Sequence, residues 1–460
     1  MKAFKFSVIA DTHYYSPVLG VSGRAYELRS GSDQKCLAES PAILKAVFEK
    51  IASDDSQALL IAGDLTNNGE RASHEEFRQM LYDLQKVKRV YVITNTHDWC
   101  SDDRPHRYDA DKVIADVPVL GHHELRGFYA DFGPNEAISE YITHLGTSSY
   151  ILDLNQNTRL LALSDDQSGR GGAGYSQKHL SWIEDQISQT KALGKNLVAM
   201  QHHLLMPHVC PLITKGSCIQ DREYVGARFA DAGLKYIFCG HSHIQDIARL
   251  TSPKGNTITE INVGSAVGYP APIIKASISR GGLCLDLDRI ESFTYEGKQE
   301  AADPYLRRHL ASLVENLLHA AAFGDKKEFI DRFDAMHINS RKLLKFRFLL
   351  KAAARFILKA DIKQAARLLN LISLGRAVKK RDVKAYAQRP LMDFVRDILF
   401  AVFDGGAQKH SVDSHYYKLV TSAVAIPGRL FKKKPLFKDL NDCIHALVAG
   451  NDLNVYPNEL

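Results

Sequence analysis

The chain has 460 residues, a formal net charge of +6 at pH 7 and 45% hydrophobic residues. A chain of this length exceeds the usual size of one hydrophobic core, so two domains are expected. The composition is that of an ordinary soluble globular protein. No apolar stretch approaches the length of a membrane span, and we therefore expect no membrane insertion.

The seven cysteines have no regular spacing, and the N-terminus leads straight into an apolar run without a signal-peptide pattern. An odd number of irregularly spaced cysteines argues against a disulfide framework and for a reducing compartment. These features together predict a cytoplasmic protein.

The first part of the chain alternates predicted strands and helices. Apolar runs bounded by polar turns predict strands at Phe6–Ala10, Ala58–Ala62, Val90–Ile93, Tyr150–Leu154, Arg159–Leu163, Asn196–Met200, Tyr236–Cys239, Thr257–Val263, Ile273–Ile278 and Leu283–Leu287. Amphipathic spacing predicts helices at Ala42–Ala52, Glu70–Lys86 and Gln177–Thr190. The polar stretch Trp99–Leu120 is interrupted by proline and is expected to run over the surface.

A glycine-rich segment within this part, 169–174, matches the pattern G-x-G-x-x-G between a strand and a helix. A dinucleotide-binding fingerprint of this kind needs an acidic residue at the end of the next strand. That strand ends in Gln201-His202-His203 instead. The segment is therefore interpreted as a flexible loop near the site, with nucleotide binding as the alternative.

The last part of the chain is predicted to be almost entirely helical. The polar stretch Tyr295–Pro304 loses strand character, so it marks the boundary between domains at 1–296 and 303–460. Helices are predicted at Tyr305–Ala322, Lys326–Met336, Ser340–Lys359, Asp361–Leu371, Leu391–Phe403, Ser414–Val424 and Phe437–Ala449.

Basic residues are in excess in this helical part, with runs at Lys379-Lys380-Arg381 and Lys432-Lys433-Lys434. Such runs are typical of solvated helix faces and loop ends. The alternative is a surface for a phosphate-rich partner, so nucleic-acid binding stays open. Stacking aromatics and known nucleic-acid signatures are not evident in the sequence.

Acids and histidines follow five of the predicted strands in the first part. The segments are Asp11-Thr12-His13, Gly63-Asp64, Asn95-Thr96-His97-Asp98, Gln201-His202-His203 and Gly240-His241-Ser242-His243. Ligands in open α/β sheets collect at the carboxyl ends of the strands. Carboxylates mixed with imidazoles are typical of a metal site that acts on phosphate.

This ordered series resembles the calcineurin-like metallophosphoesterase family, whose motifs are D-x-H, G-D-x-x-x-x-G, G-N-H-D, H-H and G-H-x-H. The resemblance covers about residues 4 to 290. It implies a four-layer α-β-β-α sandwich with two divalent metal ions, Mn, Fe or Zn, at its strand ends, followed by the all-α domain. The first ion would be held by Asp11, His13 and His243. The second would be held by His202 and His241, with Asp64 bridging the two.

Two further residues receive roles from the resemblance. His97 would stand beside the leaving group and protonate it or orient it. Asn67 lies where family members often have an acid that supports this histidine, and the Asn67 amide would orient the ring without raising its pKa as much. His203 and His208 are candidate supports for the ligands, although an ordinary loop histidine is the favoured interpretation of His208.

The sequence departs from the family at Thr96, which stands where the family has a metal-binding asparagine. A threonine hydroxyl is a shorter and poorer neutral ligand than an amide oxygen. The second ion would then bind more weakly, take a water molecule, or recruit Asn95.

The family resemblance implies a phosphoester hydrolase in which a hydroxide between the two ions attacks phosphorus. A phosphodiesterase acting on a small diester such as a cyclic nucleotide is the favoured interpretation. A phosphomonoesterase or a nuclease on the same site is the alternative, and the basic helical part suits a nuclease. A non-catalytic binding module that keeps the fold is the third hypothesis.

Overall fold

The computed structural model describes residues 3–101, 106–166, 172–373, 378–406, 409–430, 435–454 and 458–460. The β-strands are β1 Phe4–Ile9, β2 Ala58–Ala62, β3 Arg89–Ile93, β4 Arg107–Asp109, β5 Lys112–Ile114, β6 Ser139–Ile142, β7 Ser148–Asn155, β8 Thr158–Ala162, β9 Asn196–Met200, β10 Tyr236–Cys239, β11 Asp246–Thr251, β12 Thr257–Asn262, β13 Ile273–Ser279, β14 Gly282–Asp288, β15 Ser292–Tyr295, β16 Lys298–Ala301 and β17 Asn458–Glu459. The α-helices are α1 Arg24–Ser30, α2 Ser40–Ser53, α3 Arg71–Gln85, α4 His122–Phe128, α5 Gln177–Ala192, α6 Pro211–Thr214, α7 Arg222–Ala232, α8 Ala302–Ala322, α9 Lys326–Ala335, α10 Ser340–Leu343, α11 Arg347–Lys359, α12 Ile362–Ile372, α13 Lys380–Lys384, α14 Leu391–Phe403, α15 His415–Leu430 and α16 Pro435–Ala449.

Two large sheets form the centre of the first part. One sheet has the strand order β17-β14-β13-β1-β2-β3, and the other has the order β11-β12-β10-β9-β8-β7-β6. In the first sheet β1, β2 and β3 are parallel neighbours. In the second sheet β8, β9, β10 and β12 are parallel neighbours. Parallel strands bring their carboxyl ends to one edge, where the polar segments of the sequence follow.

The sheets pack face to face and each carries helices on its outer face. Leu60 of β2 and Leu160 of β8 belong to the apolar core between the sheets. Their chain neighbours point the other way, since side chains alternate along a strand. Leu59 packs with α2 and α3, and Leu161 packs with α5 and α7. These four layers confirm the predicted α-β-β-α sandwich.

The predicted boundary differs in detail from the structure. The stretch Tyr295–Pro304 was expected to lose strand character, but it contains most of the hairpin of β15 and β16 and the start of α8. A polar hairpin is hard to recognise because neither of its faces is strongly apolar. At the end of the chain, β17 pairs with β14 of the first sheet, so the chain returns to the sandwich after the helices.

Helices α8 to α16 make up most of the described residues after β16, as predicted, although the expected helix Ser340–Lys359 is divided into α10 and α11 by a 3₁₀ turn. The helices contact the sandwich through His309, which donates to the carbonyl of Asp33, and through Tyr305, which donates to Glu39. Among the described helices, none is both long and apolar enough to cross a membrane. The glycines at 169 and 171 and the run Lys432-Lys433-Lys434 lie outside the described residues.

A disulfide joins Cys210 of the sandwich to Cys443 of α16, with the Cα atoms 5.2 Å apart. This pairing corrects the expectation drawn from the cysteine count. The two positions are 233 residues apart in the sequence, and nothing in their spacing indicates that the fold brings them together. The predicted cytoplasmic location stays a prediction.

Candidate metal centre

The polar segments that follow the parallel strands meet at the edge between the two sheets. The backbone N–H of Asp11, after β1, donates to the carbonyl of Gly63, after β2, at 3.1 Å. The backbone N–H of His241, after β10, donates to the Asp11 carboxylate at 2.9 Å. Main-chain contacts thus join segments of both sheets into one site.

Asp11, His13 and His243 form a first cluster of ligand-type side chains. The Nε2 atoms of His13 and His243 lie 3.0 Å apart. The Asp11 carboxylate oxygen is 3.6 Å from the former and 3.5 Å from the latter. Two imidazole nitrogens therefore converge on a point beside a carboxylate.

Hydrogen bonds on the far side of these rings define which nitrogen carries the proton. His243 Nδ1 lies 2.8 Å from Oε1 of Gln34, and the Gln34 amide N–H₂ donates to the carbonyl of Tyr269. His13 Nδ1 faces the carbonyl of Thr66 at 3.4 Å. Each Nδ1 must donate, because its partner only accepts. Both Nε2 atoms are left with a lone pair, which is the arrangement that a metal ligand needs.

Asp64, His202 and His241 form the second cluster. His202 Nδ1 donates to the carbonyl of Ala62 at 2.8 Å. His202 Nε2 is 3.0 Å from the Asp64 carboxylate, and it is buried without a hydrogen-bond partner of acceptable geometry. The same Asp64 oxygen is 3.9 Å from His13 Nε2, so this carboxylate lies between the clusters. The residues present fit two cations that share Asp64.

Electrostatics in the site favour the neutral imidazoles of His13 and His241 but not that of His202. Burial, and after it the Lys35 ammonium, lowers the pKa of His13 to about 3. Burial and the neighbouring His203 and His202 lower the pKa of His241. The Asp64 carboxylate acts against burial and raises the pKa of His202. A proton between His202 and Asp64 is what a divalent cation would displace, so metal binding is expected to release protons.

The backbone at the site is held in conformations that non-glycine residues rarely adopt. Asp11, His13, Asp64, His241 and His243 all have φ between 36° and 67°. Residues in this left-handed region cost about 1–3 kcal/mol each and cluster at functional sites. These backbone conformations turn the side chains of the short loops toward one point.

Close approach explains two glycines of the motifs. A Cβ atom on Gly240 would lie 2.4 Å from the Asp11 carboxylate, and one on Gly63 would lie 2.6 Å from His202. Gly63 also has a φ of 89°, which a side chain would strain. The two glycines let the strand ends approach closely enough for both clusters to form.

The backbone of His97 lies beside Asp64, and its N–H donates to the Asp64 carboxylate at 3.2 Å. Its Nδ1 lies 2.5 Å from the main-chain carbonyl of Asn67. The prediction that the Asn67 side chain orients this ring needs correction, because the side-chain amide donates toward Glu70 instead. The His97 ring is still oriented by this position, because its partner is a main-chain carbonyl that any residue would supply.

Thr96 opens a short 3₁₀ helix, Thr96–Trp99, whose cap is Asn95. The Asn95 amide oxygen accepts from the Thr96 backbone, and its nitrogen donates to Asp165 at 2.6 Å. Both ends of the amide are thus engaged within the protein. This geometry disfavours the alternative in which Asn95 replaces the missing asparagine ligand.

The sequence matches the family model for calcineurin-like phosphoesterases over residues 4–245. This match covers more than half of the chain and includes all six residues of the two clusters. The chain belongs to the calcineurin-like phosphoesterase family. The clusters that fit cations thus lie within the part of the chain that matches the family.

The similar proteins described here match this chain over a short segment or with low sequence identity. A protein of Ruthia magnifica subsp. Calyptogena magnifica, described as "Probable cyclic nucleotide phosphodiesterase", is 42% identical over 55 residues, which is 12% of this chain and 23% of the relative. The match thus spans less than a quarter of that relative. The solved dimetal phosphatase from Danio rerio is 12% identical, with a TM-score of 0.41 over 62% of this chain and 95% of that one. The NAD nucleotidase of Haemophilus influenzae is 10% identical, with a TM-score of 0.35 over 78% of this chain and 62% of that one.

Asp165 is a member of the site that the sequence reasoning missed. It follows β8 and is fully buried, where it accepts from the backbone N–H groups of His202 and His203 at 3.1 and 2.6 Å. The His203 ring also contacts it, at 3.0 Å. The polar segments singled out from the sequence do not include the one after the strand predicted at Arg159–Leu163, so the acids there were overlooked. The same rule that found the other strand ends identifies this one.

Lys35 is the second residue that was missed. Its side chain is 5% exposed, and Asp33, 3.4 Å away, is its one ion-pair partner among the described residues. Burial lowers the pKa of His97, and the Lys35 ammonium lowers it further, as it does for His13. Since the adjacent Gln34 contacts His243, this segment presents a cation beside the clusters. No local motif marks Lys35, because the segment before α2 is irregular.

A third group, His208, Cys239 and Glu260, also has ligand-type atoms close together. Here His208 Nδ1 lies 3.1 Å from Asp246 and Nε2 lies 3.1 Å from Glu260. Both nitrogens face carboxylates, so neither offers a lone pair to a metal. The interpretation of His208 as an ordinary loop histidine therefore needs correction, because this residue is fully buried and joins two acids.

Proposed function

We propose that the protein hydrolyses small phosphodiesters, such as cyclic nucleotides, with two divalent metal ions. The observation that carries this proposal is the convergence of imidazole nitrogens and carboxylates in two clusters, with Asp64 lying between them. Asp11, His13 and His243 would hold one ion, and His202 and His241 the other. The local likeness to a protein described as a probable cyclic nucleotide phosphodiesterase supports the choice of diester.

The ions, of which manganese, iron and zinc suit these ligands, would supply an acidified water molecule and positive charge for the phosphoryl oxygens. The protein supplies the geometry. Asp165 holds the backbone of His202, and Gln34 directs the His243 ring. Such supporting partners typically change metal affinity or activity by about 10–100-fold when they are removed.

His97 acts on the leaving group in this proposal. Its Nδ1 proton is committed to the Asn67 carbonyl, so Nε2 is the atom that exchanges a proton with substrate. Lys35 is placed to attract a non-bridging phosphoryl oxygen, because its ammonium has only one ion-pair partner among the described residues. Charge held rigidly in a buried site stabilises a transition state without reorganisation.

A phosphomonoesterase is the second candidate, and Lys35 is the observation that favours it. A monoester carries more negative charge than a diester, so an additional cation beside the ions would benefit it more. The test is a comparison of bis(p-nitrophenyl) phosphate, p-nitrophenyl phosphate and cyclic nucleotides with added manganese. We expect the highest kcat/KM for a diester. A clear preference for the monoester would replace the proposal, and inactivity toward all of them with metal bound would indicate a binding module.

A further inference from the structure

Large apolar side chains stand exposed at the start of α11 in the helical part. Phe346, Phe348 and Leu349 are 56%, 83% and 64% exposed. Monomeric proteins rarely leave a contiguous group of such side chains in water unless it contacts something. In the part of the chain that the structure describes, these three side chains are left largely uncovered.

Helix α11 is apolar on two sides. Ala354, Leu350 and Leu358 pack inward against Phe329 of α9. With 3.6 residues per turn, Phe348, Leu349, Ala352 and Ala353 fall on the opposite side, and all four are exposed. The inward side explains why the helix folds here. The outward side has no partner among the described residues.

Cations border this outward side. Residues 335–360 contain seven Lys or Arg and no Asp or Glu. The Arg355 guanidinium lies 5.5 Å from the ring of Phe323, and the Lys359 ammonium lies 5.9 Å from it. Phe323 is itself 51% exposed, so it extends the apolar side chains of α11 toward α8. The result is an exposed apolar strip with positive charge on its edges, which we call the α11 surface.

We propose that the α11 surface docks on the anionic face of a lipid bilayer. A helix with aromatic and aliphatic tips on one side and lysines and arginines beside them lies in the interface plane, with the tips among the acyl chains and the cations at the headgroups. The cations attract anionic lipids, each contributing severalfold in affinity near the surface. Docking of this kind involves no membrane span and agrees with the absence of a spanning helix among the described residues.

Charge argues against the other occupants. A second copy of the chain would bring two cationic strips of the same sign together. A nucleic acid would neutralise Lys345, Arg355 and Lys359 but would leave Leu349 and Ala352 facing a charged backbone. An anionic bilayer complements both the charge and the apolar tips.

The test measures co-sedimentation of the full chain with vesicles of pure phosphatidylcholine or of an equimolar mixture with phosphatidylglycerol. We expect binding to the anionic vesicles that weakens as salt is added, and little binding to the neutral ones. Phe348→Ser with Leu349→Ser should weaken that binding about tenfold or more. Lys342→Gln with Lys345→Gln should weaken it about tenfold or more as well.

Matched controls stand elsewhere on the surface. Val18→Ser with Leu193→Ser removes exposed apolar side chains, which are 73% and 59% exposed, outside the α11 surface. Lys45→Gln with Lys178→Gln removes the same amount of charge. Both controls should bind like the wild type, and every variant should keep the wild-type rate on a small chromogenic ester, which checks its fold.

Four outcomes overturn the proposal. They are failure of the wild type to bind anionic vesicles, equal binding to neutral vesicles, equal loss in the control variants, and salt-resistant binding. Sedimentation velocity and a single-stranded oligonucleotide test the other occupants. A dimer that dissociates on Phe348→Ser, or oligonucleotide binding that depends on Lys345, without vesicle binding, assigns the surface to a second copy or to nucleic acid instead.

Discussion

Two buried histidines of the same loop, His202 and His208, face acids in opposite ways. His202 donates from Nδ1 to the Ala62 carbonyl and leaves Nε2 without a hydrogen-bond partner beside Asp64. His208 has a carboxylate at each nitrogen, Asp246 on one side and Glu260 on the other. His202 turns one nitrogen toward a cluster that fits a cation, whereas both nitrogens of His208 are held by carboxylates.

The difference shows why proximity is a weak criterion for a metal site. All three groups of histidine, cysteine and acid bring ligand-type atoms within 4.8 Å of one another. Only hydrogen bonds on the far side of each ring tell which nitrogen is free.

Removal of the shared carboxylate charge should have the largest effect. Asp64→Asn leaves two cations with no bridging anion, so we expect kcat to fall about a thousandfold or more and bound metal to decrease. The measurement is the rate on bis(p-nitrophenyl) phosphate with metal content by elemental analysis. Asp55→Asn, on an exposed acid, is the control. Near-normal activity in Asp64→Asn would contradict the two-metal arrangement.

His208→Gln should affect stability instead of metal binding. Two acids would lose a buried cation, so the free energy of unfolding should fall by about 3–5 kcal/mol at neutral pH or below. Against burial, Asp246 and Glu260 raise the pKa of His208 to about 9. Its contribution is therefore complete below the unfolded value of about 6.5 and is lost as pH rises through about 9.

The wild type should consequently lose stability between those two pH values, and His208→Gln should show a flatter profile. Denaturant unfolding at several pH values measures this. Bound metal should be the same in the two proteins. Parallel pH profiles would mean that His208 is not a buried cation.

His97→Ala tests whether His97 protonates the leaving group of the substrate. Loss of a general acid costs about 10²–10⁴-fold when the leaving group needs a proton. The loss should be much smaller for nitrophenyl esters, whose leaving group is already stable as an anion. The measurement compares alkyl and nitrophenyl esters, with His122→Ala as the control histidine. Equal losses on both esters would assign His97 to phosphate positioning.

Thr96→Asn should have the smallest effect. The family residue adds an amide oxygen near the second cluster, so the manganese concentration for half-maximal activity should fall by about tenfold. Metal titration of activity measures this, and Thr96→Ser is the matched control that keeps a hydroxyl. A lower rate with unchanged metal demand would mean that the site is rebuilt around threonine.

The sequence predicted the sandwich and the two ligand clusters because both follow from local order. Apolar runs define the strands, and the residues after each run must lie at the same edge of the sheet. Gln34, Lys35 and Asp165 escaped because their roles come from contacts with distant segments. Gln34 meets His243, which is 209 positions away in the chain. The Cys210–Cys443 disulfide and the second carboxylate beside His208 escaped for the same reason.

The most direct test of the central claim is metal content after reconstitution with manganese, compared for wild type, His202→Ala and His208→Gln. The contrast between the two histidines predicts two ions per chain in the wild type, the same number in His208→Gln, and one or none in His202→Ala. Metal lost from His208→Gln and kept in His202→Ala would place the ion among His208, Cys239 and Glu260, and would contradict the account.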